Sequence, residues 1–489
     1  MPELNTRSNL FGSNDQSLII LGHVFFGGML VMATLLYKER MLTFDAAFYT
    51  MRMLLEEGFI SEHQRYVNWL AMPLPLLGIK AGASLKTIII LYSVGLILVH
   101  YVLWLIAVYG LRNPKAGAFM MLLMCMAVRN KYYMGVSELH ISATFLGLFF
   151  AWITRPKDLL NRNWLWKILI PFAIVAAVSL GNPIAIIPLC IIIGGDIVVR
   201  SRWTDPEAWI QASIPLLMFG VKKYYFTFDD YENNKINLLI EAFGQWKNWL
   251  TFPSVDFYKH FLIHDAPLLL LLTFCVGAYL FFKKKWMELA YLLLMGAGYS
   301  LMITGVYYKG ASINMQEGYY MFLPIFALLP MFYHFFQKNW KWTVLFCLIL
   351  IGDGTARIIE KGNFFRERLA YYDKLEAHYL DDGHRKLLLP GDAFPLDLLW
   401  LHWTSSLETL LYTSLEGPEH AATVFYHNGE NIDFILKDEQ GYISVPWVPD
   451  VFPGNKLPER YFKLKTGTYL QPDPTYARFL KESYTGIRP

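Results

Sequence analysis

"SLIILGHVFFGGMLVMATLLYK", residues 17 to 38, carries no Asp, Glu, Lys or Arg before its final residue. Crossing the hydrocarbon layer of a bilayer as a helix takes about 20 apolar residues, and this stretch meets that length. It is too long for the core of a cleaved signal peptide, and no small-residue cleavage site follows it, so it is expected as a retained first span. Stretches of the same kind recur as far as residue 353. Their number agrees with the composition: of 489 residues 55% are hydrophobic and only 17% charged, with mean hydropathy +0.32. Such a balance excludes an ordinary soluble protein and implies a polytopic one. Helices satisfy their own backbone in lipid, so the expected fold class is an α-helical polytopic membrane protein with about eleven transmembrane helices.

The spans are expected at 17–37, 86–109, 117–134, 141–154, 168–181, 183–199, 208–226, 265–282, 286–306, 319–337 and 342–353. Between the fifth and sixth, "GNP" (181–183) reads as a turn joining two helices. With the N-terminus cytoplasmic, that turn puts Arg112 and Lys115, Arg155, Lys157, Arg162 and Lys167, Arg200 and Arg202, Lys283 to Lys285, and Lys338 and Lys341 on the inside. Every short inside loop is then basic, as the positive-inside rule requires. Without the turn, the later basic loops would change sides. The loops left for the outer face are 38–85, about 130–140, 227–264, 307–318 and everything after about 354.

A composition shift divides the chain into a transmembrane module, 1–353, and an extracytoplasmic α/β domain, 354–489, richer in Asp, Glu, Gly and Pro. In the latter, "FFRERLAYYDKLEAHYLDDG" and "FPLDLLWLHWTSSLETLLYTSLEG" read as helical, and "RKLLLP", "ATVFYH", "NIDFILKD" and "YFKLKTGTYL" as strands. All four cysteines, Cys125, Cys190, Cys275 and Cys347, fall in expected spans, so no disulfide framework supports the external part. An Asn-x-Ser/Thr sequon is also absent. Both features point to a bacterial inner membrane with a periplasmic domain rather than to an endoplasmic reticulum lumen. The net charge of +3 gives no reason to expect a nucleic-acid partner, because topology accounts for many of the positive residues.

In the first outer loop, "LTFDAAFYTMRMLLEEG" (42–58), Thr43 is placed to cap a helix with Phe48, Met51 and Leu55 on one face and Gly58 as terminator. Asp45 then stands in the first turn, where the helix dipole favours a carboxylate. A second element begins at "SEHQ", where Ser61 and Gln64 have capping-box spacing, and the pair of short helices is expected in the membrane interface.

A first span followed by an outer loop of the form x-F-D-x-x-F/Y-Y, with amphipathic helices and a Pro-rich entry to the second span, resembles the GT-C class of membrane glycosyltransferases. "VSELHISATFLGLFF" (136–150) is similar to that family's second outer loop, and "QEGYYMFLPIFALLP" (316–330) to its later loop-to-span junction. Many members have Arg before the Tyr of that junction; here Gly318 stands in its place, leaving donor-phosphate contacts there without their usual cation. The resemblance implies transfer of a sugar from a polyprenyl-phosphate carrier to an acceptor on the outer face, with the bilayer as surroundings and no bound cofactor. No Asp-x-Asp motif occurs, so a metal-bound nucleotide-sugar donor is not supported.

The resemblance also implies that Asp45 is the base. A sugar phosphate already has a good leaving group, so one carboxylate deprotonating the acceptor on the opposite face suffices for inverting transfer. Glycosidases need two, because their leaving group is an alcohol. Candidates to meet the phosphate are Arg65, Arg129, Lys131, Lys222, Lys223 and Lys309. Arg129 and Lys131 stand out, because cations at a span end on the translocated side call for an explanation. Candidates to position the acceptor are His63, Glu138, His140, Glu317 and Tyr320. Read from the residues alone, each has a second meaning: Asp45 as a helix-start carboxylate, Glu138 and His140 as a solvated loop pair, Lys222 and Lys223 as snorkelling side chains, His63 and Arg65 as interfacial anchors, and Tyr319 and Tyr320 as boundary aromatics. A transporter or flippase with a broken helix at "LGNPIAII", and an inactive scaffold, are the competing functional classes.

Overall fold

The computed structural model describes residues 13–156, 159, 164–225, 230–310, 313–338, 340–380, 384–400, 403–427, 442–444, 451–453 and 456–485. The chain opens with α1 (Ser13–Leu35), α2 (Tyr37–Met41) and α3 (Phe44–Glu56), then α4 (Pro73–Lys80), α5 (Leu85–Leu105), α6 (Pro114–Cys125), α7 (Asn130–Tyr133) and α8 (Glu138–Ile153). It continues through α9 (Trp164–Ser179), α10 (Ile186–Arg200), α11 (Pro206–Tyr225), α12 (Asp230–Gly244), α13 (Pro253–His260), α14 (Pro267–Phe282) and α15 (Trp286–Val306). The remaining membrane-side helices are α16 (Ile313–Tyr320), α17 (Pro324–Met331) and α18 (Trp340–Tyr379).

Among the described residues, six helices are long and apolar enough to cross a membrane: Asp15–Leu35, Leu85–Gly110, Pro183–Arg200, Trp286–Val306, Met315–Phe336 and Trp340–Tyr379. The pair Pro253–Asp265 and Pro267–Phe282, bent by 90°, makes a seventh if it counts as one span. The other expected spans fall on helices that are shorter, Pro114–Cys125, Glu138–Ile153 and Trp164–Ser179, or less apolar, Pro206–Tyr225. By length and apolarity, then, six or seven of the eleven expected spans stand out among the described residues. The span expected at 117–134 breaks after Cys125 because Arg129 takes a non-helical conformation and α7 starts a new direction. The "GNP" segment is a turn. Asn182 accepts from the Ile184 amide at 3.2 Å, and Pro183, with no amide to lose, opens the next helix.

Side chains sort by environment. On α1, Leu18, Phe25, Phe26 and Met29 are buried while Ile20, Val24, Val31 and Leu35 are exposed, and α14 and α15 likewise turn Phe274, Phe282, Leu293 and Leu294 outward. An apolar exterior of this extent is what a bilayer covers, so the chain is a helical polytopic membrane protein. α1 packs on α5, α6 and α18, α8 on α5, α6 and α9, and α10 on α11, α15 and α17. Close crossings need small residues. At Gly354 of α18 a side chain would meet the Cys125 carbonyl oxygen at 2.5 Å.

α18 runs unbroken for 40 residues, through the boundary expected at 353/354. Beyond it, β1 (Lys386–Pro390) pairs in parallel with β2 (Thr423–His427), Lys386 opposite Thr423 and Pro390 opposite His427. Short helices α19 (Leu396–Leu399) and α20 (Ser405–Thr413) connect them. A separate antiparallel pair, β3 (Tyr442–Ser444) with β4 (Val451–Pro453), and α21 (Thr475–Ser483) follow. The helix expected across 394–417 is broken where Trp400 turns to φ +60°. The strand expected at 461–470 reduces to one bridge, Leu387 with Leu470. The strand expected at 431–438 lies outside the described residues. α20 packs on α3, and buried residues of this region, Leu387, Leu398 and Leu407 among them, share one apolar core with α1, α3 and α8.

Candidate functional site

The first outer loop departs from the expected interfacial helices. α3 is buried on several faces, with Ala46, Ala47, Phe48, Tyr49, Thr50 and Met51 all inside. Thr43 occupies the N-cap position but caps nothing: its hydroxyl donates to the Tyr133 carbonyl at 3.2 Å, because α7 lies against it. The helix ends at Glu57, left-handed at φ +50°, one residue before Gly58. The capping box at Ser61 and Gln64 is replaced by a tight turn in which His63 and Gln64 both have positive φ, leading into a 3-10 turn over Tyr66–Ala71.

Within this loop Asp45 is open to solvent, yet protein surrounds it deeply enough that burial, helped by the charge of Glu138, raises its carboxyl to about 6. Lys131, Arg65 and His63 pull in the opposite direction, so all four lie within electrostatic reach of it. Asp45 has no hydrogen bond or ion pair among the described residues. Immediately before it Phe44 holds φ +40°, a conformation that costs a bulky residue roughly 1–3 kcal/mol.

Glu138, at the start of α8, takes the other state. Burial alone would raise it, but Arg65, its backbone amide, Asn68 and Lys131 together hold it below the usual carboxylate range. Arg65 Nη1 is 3.4 Å from Glu138 Oε2, and Asn68 Nδ2 donates to Oε1 at 3.2 Å. Two carboxylates in one recess are thus driven apart: Glu138 stays ionised, and its charge helps keep Asp45 ready to hold a proton near neutral pH.

Lys131 supplies the opposite charge. Burial lowers its ammonium, with Asp45, Glu317, Glu138 and Tyr319 opposing, and its side-chain nitrogen has no partner among the described residues. Gly318 makes room for it, since a side chain there would come within 3.2 Å of Lys131 Cε and 3.8 Å of Nζ. Lys131 is aimed by Glu317, which is fully buried and accepts from the amides of Arg129 (2.6 Å), Asn130 (3.3 Å) and Lys131 (3.1 Å) and from Asn130 Nδ2 (2.9 Å).

The structure therefore gathers Asp45, His63, Arg65, Lys131 and Glu138. The other sequence candidates are engaged elsewhere. Arg129 is buried and ion-paired with Asp265, with Glu317 3.8 Å away. Glu317 serves as a buried internal staple. His140 turns into the core, its ring 4.6 Å from that of His100. Lys222 donates to the Ser179 carbonyl at 2.8 Å and ties α11 to α9, Lys223 is exposed, and Lys309 forms an exposed pair with Glu241 at 2.8 Å. Tyr320 donates to Gln316 and packs its ring, tilted, against Phe261, whereas Tyr319 is the tyrosine within reach of Lys131 and Arg65.

Besides Asn68, three contributors were not singled out from sequence. Lys235 of α12 donates to the Tyr319 hydroxyl at 2.9 Å, bringing α12 onto the site. Asp265 neutralises Arg129. Glu408, more than 360 residues away in sequence, accepts from the Phe44 amide at 2.8 Å. Only the outer-loop position of Lys235 was a usable signal, because the other two act through pairings that no local pattern records. Among the described residues, no group of three His, Cys, Asp or Glu side chains is arranged to hold a metal ion. Comparison of the chain with family models, with curated proteins and with solved structures finds no match, so the chemistry of the site rests on its own geometry.

Proposed function

We propose that this protein is a GT-C-type membrane glycosyltransferase that moves a sugar from a polyprenyl-phosphate carrier to an acceptor on the extracytoplasmic face, with inversion. The observation that carries this reading is a pair of opposite charges, Asp45 and Lys131, within electrostatic reach of each other at the start of α3 but joined by no ion pair among the described residues. A structural ion pair would have closed; these two are kept apart and available. Asp45, with its carboxyl raised to about 6, takes the acceptor hydroxyl's proton as the new bond to the anomeric carbon forms. The bond from that carbon to the phosphate oxygen breaks at the same time, and the phosphate leaves with the electron pair. Lys131 and Arg65 stabilise that charge, Lys131 from the space beside Gly318 where related enzymes have an arginine. Under this reading the shorter helices also cross, giving about eleven spans with the N-terminus cytoplasmic. The spans then sit in a bacterial inner membrane, and the region after α18 lies on its outer side.

Purified protein and an Asp45→Asn variant, given polyprenyl-phosphate sugars and membrane extract as the acceptor source, test the proposal. Transfer by the wild type and its loss in a folded, donor-binding variant is the expected result. Equal transfer by both removes Asp45 from the chemistry, and donor binding without transfer in either overturns the enzymatic reading.

A further inference from the structure

The region after α18's membrane half grips the residue next to the proposed base. Glu408 of α20 is fully buried, and its two oxygens divide their work. Oε1 accepts from the Phe44 amide at 2.8 Å and from the Thr404 hydroxyl at 2.7 Å. Oε2 accepts from Tyr372 at 2.7 Å and from Arg368, itself fully buried and donating to the Leu399 carbonyl at 2.7 Å. The Phe44 ring is then clamped between the Arg368 guanidinium, 4.3 Å from its centre, and the Trp400 ring, 5.7 Å away and tilted by 7°. Trp400 rests in turn on Phe364 at 4.6 Å.

A left-handed phenylalanine persists only where its surroundings over-determine it, and here an amide acceptor and two stacked faces do so. Phe44 and Glu408 are both buried, unlike Asp45. Fixing Phe44, however, fixes the direction in which the next residue leaves the backbone. We infer that Glu408 is a positioning residue for Asp45, so that the C-terminal region completes the site from behind by locking the loop that carries the base. This rests on the reading of Asp45 as base, although the lock itself is a matter of backbone conformation.

Two variants of the full-length protein in nanodiscs test it: Glu408→Gln, which removes the charge, and Thr404→Val, which frees one bond to Oε1 without leaving a buried charge unpaired. Hydrogen exchange of the segment 42–50 reads the lock, and carbodiimide labelling of Asp45 against pH reads its ionisation without needing turnover. In Glu408→Gln, exchange at 44–47 should quicken by about tenfold or more, in line with loss of a charge-assisted bond. The labelling midpoint, together with the acid limb of transfer, should fall from about 6 toward the ordinary aspartate value of about 4. Thr404→Val should move both in the same direction by less. Unchanged exchange in a folded Thr404→Val and Glu408→Gln, or reduced transfer with the midpoint still at about 6, would overturn the inference by making Glu408 merely structural. If Glu408→Gln does not fold, Thr404→Val decides alone. Should wild-type transfer fail altogether, the base reading falls, while exchange and labelling still decide the lock.

Discussion

Two charged clusters lie against the first outer loop, and they treat the same residue types in opposite ways. Around Glu408 every charge is closed: carboxylate, guanidinium, hydroxyls and the Phe44 amide meet one another in a core from which solvent is excluded. Around Asp45 the closure stops halfway. Arg65 and Glu138 pair, but Asp45 and Lys131 face a recess without partners among the described residues. Removing a partner from a buried pair leaves a stranded charge, so the closed cluster holds shape. An open carboxylate with a raised carboxyl can exchange a proton near neutral pH, so the open cluster suits chemistry.

The sharpest way to break this contrast is at Asp45 itself. Asp45→Asn should lower transfer by about 10²–10⁴-fold, the usual worth of a general base, with little change in donor binding. Lys131→Met should follow, reducing transfer by about 10–100-fold while the protein remains folded, as measured by turnover and by thermal unfolding of the same preparations. In the closed class the effect should move from activity to stability. Glu317→Ala strands the amides of residues 129–131 while Arg129 keeps Asp265, and should cost about 3 kcal/mol in denaturant unfolding, with transfer lost only as the fold is lost.

Smaller still is the pH signature of the open carboxylate. Its folded-state value of about 6 lies above the unfolded one, so the folded chain binds more protons between them, and stability falls as pH rises from about 4 to about 6. Asp45→Asn should therefore raise the melting temperature at pH 8 and have much less effect at pH 4. At the far end, Lys309→Ala removes an exposed ion pair with Glu241 and should change neither transfer nor melting measurably.

The site was legible in sequence where charge stood against topology. Lys131 drew attention as a cation on the side expected to be translocated, and Asp45 through the loop pattern around it. The same argument marked Arg129, which the fold instead buries against Asp265. Sequence position cannot tell these neighbours apart: two residues along a short helix, one side chain turns to the core and the other to the recess. Tyr319 and Tyr320 divide in the same way, for the same reason.

What the sequence determined by itself was the class, since apolar runs of membrane length are local and add up regardless of how the helices later meet. Tertiary structure decided which charges are satisfied. The Phe44 amide finds Glu408 at a separation of 364 residues, and only the folded chain shows that Asp45, next to it, has no hydrogen bond or ion pair among the described residues. Pairings of that length leave no periodicity in the sequence, because they arise from helix packing and not from spacing along the chain.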